Sequence, residues 1–257
     1  MAAVLAAFLL AGCASWHTAS QVNALLPTDV ILLGEQHDVA EHQRIEARAV
    51  RQLVIRDKLA ALVVEMADAG QDTRALSTDA TEAAVREALE WNDKAWPWGQ
   101  YGPAVMEAVR AGVPVLGGNL PRRLFSSAMA DHALDATLPP PALAAQQAAI
   151  RHGHCDLLAA SQLLPMTRIQ IARDQSMART LQAAARSGQA VLLLAGSGHV
   201  DRELGVPLHL PASLAVRVVR LQAGGEAKPS SSFDTIWTTP QATGKDYCAD
   251  LRLRLGQ

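Results

Sequence analysis

Aromatic residues are few in this chain: three Phe, five Trp and two Tyr make up 4% of its 257 residues. Any place where they gather therefore carries information. Lysine is scarce as well, confined to Lys58, Lys94, Lys228 and Lys245. A net charge of −2 and a pI near 6.4 argue against a nucleic-acid binder, which needs a basic surface to meet phosphates. The apolar run at the N-terminus, Ala2 to Ala11, is roughly 10 residues against the ~20 a membrane-spanning helix needs. What remains is a globular composition, 49% hydrophobic and 19% charged. The length allows one sizeable core with a small helical insert.

The short apolar run is followed by Leu10-Ala-Gly-Cys13, the shape of a bacterial lipoprotein signal. The Cys at its end is the residue that is lipidated and becomes the mature N-terminus. No Lys or Arg precedes the run, a departure from the pattern; a buried N-terminal helix is the alternative. Residues 1–12 are thus expected to be a signal peptide and 13–28 a linker, with acyl chains on Cys13 anchoring the chain to a membrane. That address implies a bacterial cell envelope, on the periplasmic face of the outer membrane. Export would place Cys155 and Cys248 in an oxidising compartment, where a disulfide is expected; two unpaired buried thiols are the alternative.

Residues 29–257 read as one α/β domain with a mainly parallel sheet and helices on both faces. The aliphatic run Val30-Ile-Leu-Leu33 suits a buried parallel strand. A helix is expected over 39–58, with Ile45, Val50, Leu53 and Val54 on one face. A second strand follows at 60–66, so strand, helix and strand make a βαβ unit and a parallel pair. Residues 68–111 change to polar, Ala-rich segments, read as a helical insert. Further strands are expected at 112–119 and 190–195, with β-like stretches at 214–221 and 234–238. Residues 124–186 between them read as helical.

The chemistry gathers at strand ends. Val30-Ile-Leu-Leu-Gly-Glu-Gln-His-Asp38 and Ala190-Val-Leu-Leu-Leu-Ala-Gly-Ser-Gly-His199 both carry Gly-x-x-His after a strand. In a parallel sheet Glu35, His37, Glu65, Asn119 and His199 would share one side, where ligands sit in open α/β sheets. Two imidazoles and two carboxylates, Glu35, His37, Glu65 and His199, match a divalent-metal ligand set or an acid–base pair. The bland alternative is histidines that pack strand-to-helix turns. His42 is a weaker addition, and His152-Gly-His154 is either a hinge or a secondary ligand.

Trp91-Asn-Asp-Lys-Ala-Trp-Pro-Trp-Gly-Gln-Tyr101 holds three of the five Trp and one of the two Tyr. It reads either as a mini-core or as a flat apolar surface with Lys94 beside it, suited to a planar amphipathic ligand with anionic groups. A phenolate can also ligate ferric haem.

Together, Leu10-Ala-Gly-Cys13, Leu33-Gly-Glu-Gln-His-Asp38, Val64-Glu-Met66, the Trp/Tyr stretch, Gly118-Asn-Leu-Pro-Arg122, Ala172-Arg-Asp-Gln-Ser-Met-Ala178 and Gly196-Ser-Gly-His-Val200 resemble the ChaN-like lipoproteins. The resemblance implies a haem-binding lipoprotein associated with iron uptake, whose iron is ligated by a Tyr and whose dimers hold haems between subunits. On it Tyr101 is the iron ligand, with its hydroxyl at the surface, Trp96 and Trp98 lining the porphyrin, and Tyr247 the next candidate. Lys94, Arg122 or Arg123 would meet the propionates. The wider superfamily is similar to the TIKI/TraB proteins, some of which are metal-dependent proteases with paired Gly-x-x-His motifs. That leaves a metal-dependent hydrolase, built on the strand-end cluster, as the alternative to a haem carrier.

Overall fold

The computed structural model describes residues 18–228, 230–242 and 246–255. Leu10–Cys13 and Lys245 lie outside them. Six strands form one sheet: β1 (Val30–Glu35), β2 (Leu59–Asp68), β3 (Val115–Asn119), β4 (Ala190–Gly196), β5 (Val216–Ala223) and β6 (Thr235–Thr239). Their order is β3-β2-β4-β1-β5-β6 and every pairing is parallel. The expected α/β class holds, with one difference in pairing. β1 and β2 are parallel but not neighbours, because β4 is inserted between them.

Alternation along the strands builds two cores. Ile31, Leu33, Leu62, Val64, Leu192 and Leu194 face one side, where α1 (Ala40–Val54) packs Ala49, Val50 and Leu53 against them. Val30, Leu32, Val63, Val191 and Leu193 face the other, covered by Met177, Ala178 and Leu181. Those three belong to α6 (Ala160–Ala184), the longest of the described helices. Truncating one of these leucines to Ala would cost about 2–5 kcal/mol. A register shift between Leu59 and Ala61 keeps both ends of β2 in phase with their cores.

The insert departs from the helical expectation in its first part. β2 runs on to Asp68, and Gly70, at φ +101°, turns the chain back along the free edge of β3. There Asp72 bridges Leu116 in antiparallel fashion, and the Thr73 hydroxyl accepts from the Val115 amide. Helices follow only at α2 (Glu82–Ala88) and α3 (Trp98–Arg110). Residues 124–186 are helical but broken into α4 (Phe125–Ala130), α5 (Pro140–Gly153) and α6, with 3-10 turns at Arg122–Leu124 and His132–Ala136. Pro139 stands at the break before α5, whereas Pro165 lies within α6 without ending it. Cys155, in the turn after α5, forms a disulfide with Cys248 of α8 (Tyr247–Leu255), 93 residues away. His152 and Gly153 are the last residues of α5, and His154 caps it, bonding the Ile150 carbonyl through Nδ1. Among the described residues no helix is long and apolar enough to cross a membrane.

Candidate functional site

The connections leave the sheet on opposite faces after β1 and β4. After β1 the chain passes to α1 on one face; after β4 a single turn, α7 (Ser197–Val200), packs Val200 into the core of the other face. The carboxyl ends of two adjacent strands thus part from each other, the place where open α/β sheets leave a crevice. Two glycines make the approach close enough. A Cβ on Gly34 would stand 2.3 Å from Val200 Cγ2, and one on Gly196 would stand 2.8 Å from His37 Nε2. Here glycine is the residue that lets the two Gly-x-x-His turns interlock.

Glu35, His37, Glu65 and His199 converge in this crevice. Glu35 Oε1 lies 2.7 Å from His37 Nδ1 and accepts from the Tyr101 hydroxyl at 2.9 Å, while Gln43 donates to its other oxygen. His37 Nε2 is 3.8 Å from Glu65 Oε2, and His199 Nε2 is 3.5 Å from Glu65 Oε1. One buried carboxylate therefore stands between the two imidazoles. Its Oε2 also accepts from the Gly196 amide at 2.7 Å, and its Oε1 accepts from Arg173 at 2.5 Å. Arg173 in turn donates to Asn119 Oδ1, which ties in the end of β3. His199 is oriented from behind by Asp174, with 2.5 Å between Nδ1 and Oδ1. Of the four, only His37 reaches the mouth, its side chain 40% exposed.

The charges sort by neighbour. Burial pushes the Glu65 carboxyl up, but His199, Arg173 and His37 more than offset it and hold it well below the usual range. Burial pushes His199 down, yet the Glu65 and Asp174 carboxylates carry it up to about 9. His37 is likewise raised, burial being outweighed by its bond to Glu35 and by the Glu65 charge. Glu46, on the crevice side of α1, goes the other way: burial, then Glu35 and Glu65, raise it far above a normal carboxyl. Neither of its oxygens has a partner among the described residues, as a protonated carboxyl tolerates better than a carboxylate.

A divalent metal does not suit this donor set as it stands. Among the described residues no three His, Cys, Asp or Glu side chains are placed to hold one. The reason is local: the Arg173 guanidinium occupies Glu65, and the Nε2 atoms of both histidines face that covered carboxylate. His42 is structural, accepting from the Gln36 amide on Nδ1 and donating from Nε2 to the Thr239 hydroxyl oxygen, with burial lowering it to about 4.

A family profile described as "Haem-binding uptake, Tiki superfamily, ChaN" matches residues 21–210. The chain belongs to this ChaN family. Its fold is similar to the structure described as "Cofacial heme binding to ChaN of Campylobacter jejuni", at 24% identity, over 81% of this chain and 87% of that one, with a TM-score of 0.68. Weaker likenesses are to the type III effector HopBA1 (13% identity, 86% of this chain and 92% of that one, TM-score 0.48) and to a mutant of erythromycin esterase EreC in its open conformation (17%, 90% and 81%, 0.46). No curated protein sequence matches the chain significantly.

In this ChaN-family chain the aromatic stretch lies beside the crevice, with its polar tip turned inward. Tyr101 is 3% exposed and its hydroxyl bonds Glu35, so the expected hydroxyl at the surface is not what the fold provides. Burial and the neighbouring Glu35 charge push the phenol far above its ordinary value, which opposes a phenolate. Trp91 and Trp98 are buried edge to face at 5.0 Å, and the Trp98 indole donates to Glu82. Trp98 therefore packs inward and does not line a ligand face. Trp96 alone of the three is half-exposed, and it meets the His37 ring edge to face at 4.9 Å. Lys94 is exposed, as are Arg122 and Arg123.

Sequence reasoning missed Gln43, Glu46 and the Arg173–Asp174 pair as site residues. A signal existed for the first two. Gln43 and Glu46 are in phase with Val50 and Leu53 on the apolar face of α1, a polar intrusion that needs an explanation.

Proposed function

We propose that this chain is a haem-binding protein of the bacterial envelope, and that His37 rather than Tyr101 offers the iron its protein ligand. The family supports haem; the choice of residue rests on one observation. His37 holds Nδ1 against the Glu35 carboxylate with Nε2 3.8 Å from Glu65, and its side chain, 40% exposed, is the one of the four that reaches the mouth, beside Trp96. A carboxylate behind one ring nitrogen fixes the tautomer that leaves the other as a basic ligand. Trp96 supplies an apolar surface for one porphyrin edge. Lys94, exposed in the same stretch, suits a propionate.

Tyr101 ligation, which the family resemblance implies, would require the hydroxyl to leave Glu35 and cross to the surface. Tyr247, at the start of α8, is half-exposed and is the tyrosine that could ligate without refolding the core. The lipid anchor on Cys13, a periplasm-facing position and a dimer closing over the haem belong to the same proposal. The test is a hemin titration followed in the Soret region on the wild type and on His37→Ala, Tyr101→Phe and Tyr247→Phe. Loss of the ligand-sensitive bands in His37→Ala alone supports the reading; loss in either Tyr variant alone sinks the assignment.

One observation favours a second reading as a hydrolase. Tyr101, Glu35 and His37 form a hydrogen-bonded row ending at the accessible imidazole, the arrangement that poises a general base. In its metal-dependent form this reading also needs Arg173 to release Glu65. Metal co-purifying in proportion to protein, and absent from His37→Ala, would favour it.

A further inference from the structure

On the far side of β3 from the crevice, a cavity of about 430 Å³ lies between residues 69–74, residues 116–124 and the second half of α6. It shares no side chain with the strand-end cluster. Three guanidiniums line it: Arg74, Arg123 and Arg179. Arg74 is compensated by Asp72, which also lines the cavity, at 2.9 Å. Among the described residues neither Arg123 nor Arg179 has a carboxylate within 4 Å. Asp68 lies in Coulombic range of Arg123 without pairing with it, so both guanidiniums keep their donors for a ligand. The hydroxyls of Ser176, which is buried, and Thr180 come from the same face of α6 as Arg179. The remaining wall between 116 and 124 is largely leucine, proline and glycine backbone.

We propose that this cavity is a second ligand site, for a small organic anion with an apolar body, such as a phosphate monoester. The argument is one of matched chemistry. The Thr180 hydroxyl donates to the Ser176 carbonyl at 3.2 Å, but two guanidiniums still offer more donors than a single carboxylate oxygen pair accepts, whereas a phosphate presents three acceptor oxygens. The apolar wall takes the organic part, and the volume falls in the range of small-molecule sites. The site shares no residue with the haem reading proposed above, in which Lys94 meets a propionate; Arg123, the other propionate partner that the family resemblance offered, is assigned here to the cavity.

The test is calorimetry on the full chain with phenyl phosphate, inorganic phosphate and phenol as probes, each also run on R123A/R179A and R179E. Both guanidiniums are exposed, so these variants are expected to keep the wild-type melting temperature and hemin spectrum. Phenyl phosphate should bind at one per chain, at least ten-fold tighter than either half-probe. The double alanine variant should lose at least ten-fold, and R179E more. Equal binding of phenyl phosphate by wild type and R123A/R179A would overturn the proposal. So would inorganic phosphate binding as tightly as the ester, which would mean a surface ion patch and no organic site.

Discussion

Tyr101→Phe separates a buried hydrogen-bond donor from an iron ligand, because the two roles give opposite results. The phenol ring would stay, filling the space between Trp91 at 6.3 Å and Trp96 at 5.8 Å. Only the hydroxyl, 2.9 Å from Glu35 Oε1, is lost. Hydrogen bonds to charged groups contribute about 1.5–3 kcal/mol. Glu35 keeps His37 on the same oxygen and Gln43 on the other, so the lower part of that range applies, roughly 1.5–2 kcal/mol. At about 2–4 °C per kcal/mol for a chain of this size, the melting temperature should fall by about 3–8 °C. A carboxylate with one donor fewer stabilises the imidazolium more, so His37 should titrate higher than in the wild type, as proton NMR of its ring would read. The hemin spectrum should keep its ligand bands. An unchanged melting temperature together with a lost Soret signature would refute the buried-donor account and return Tyr101 to the iron.

Gly196→Ala places a methyl 2.8 Å from His37 Nε2, where ordinary contact needs at least 3.4 Å, so the ring must yield by several tenths of an ångström. Hemin affinity should drop about ten-fold with the fold intact by circular dichroism, and unchanged affinity would disconnect His37 from the ligand. Since His199 is raised to about 9, its contribution to stability is full below its ordinary value near 6.5 and is lost as pH rises through about 9; Glu65, held low, contributes above about 4.5 and loses this as pH falls. Chemical denaturation across pH should thus show a plateau between these limits, and His199→Gln should flatten the alkaline arm. Reducing the Cys155–Cys248 bond, which closes a loop spanning 93 positions, should destabilise by up to about 4–5 kcal/mol, read as a lower denaturant midpoint; no change on reduction or in Cys248→Ser would argue that the C-terminal helix adds no stability.

Much of the crevice was legible because glycine and aliphatic runs mark strand ends without help from tertiary structure. Gly34 and Gly196 end their runs, the histidines follow at a fixed offset, and Glu65 sits inside a strand too apolar to hold it otherwise. The parallel sheet follows from the same runs. Its order does not, because the insertion of β4 between β1 and β2 depends on which crossover packs where. Arg173 and Asp174 lie in a stretch that carries the family resemblance, but their role was hidden for a related reason: a charged pair on a helix reads as a solvated face until the helix is seen to cross the strand ends. Tyr101 was misread as a surface group, although the sequence held the warning. It is in phase with Ala104, Val105, Ala108 and Val109, all buried, and that stripe puts the residue inward.

The charge inventory of the crevice explains why its mouth suits a cation. Four carboxyls are buried there, Glu35, Glu46, Glu65 and Asp174, against Arg173 and two histidines. Burial, then the Glu35 and Glu65 charges, raise Glu46 far above a normal carboxyl, which takes it out of the count. Asp174 shares His199, and Arg173 covers Glu65. Glu35 is then balanced only while His37 carries its proton. When His37 gives that proton up, the site is left one positive charge short, at the exposed imidazole that can take a metal centre in its place. Ferric haem restores the balance and ferrous haem, with one charge fewer, does not. Hemin should therefore displace about one proton per chain below the raised titration point of His37. Its affinity should climb with pH up to that point and level off above it. Reduction by dithionite should weaken binding. Affinity that is flat from pH 5 to pH 8, with equal binding of both oxidation states, would leave the buried acids without a part in holding the iron.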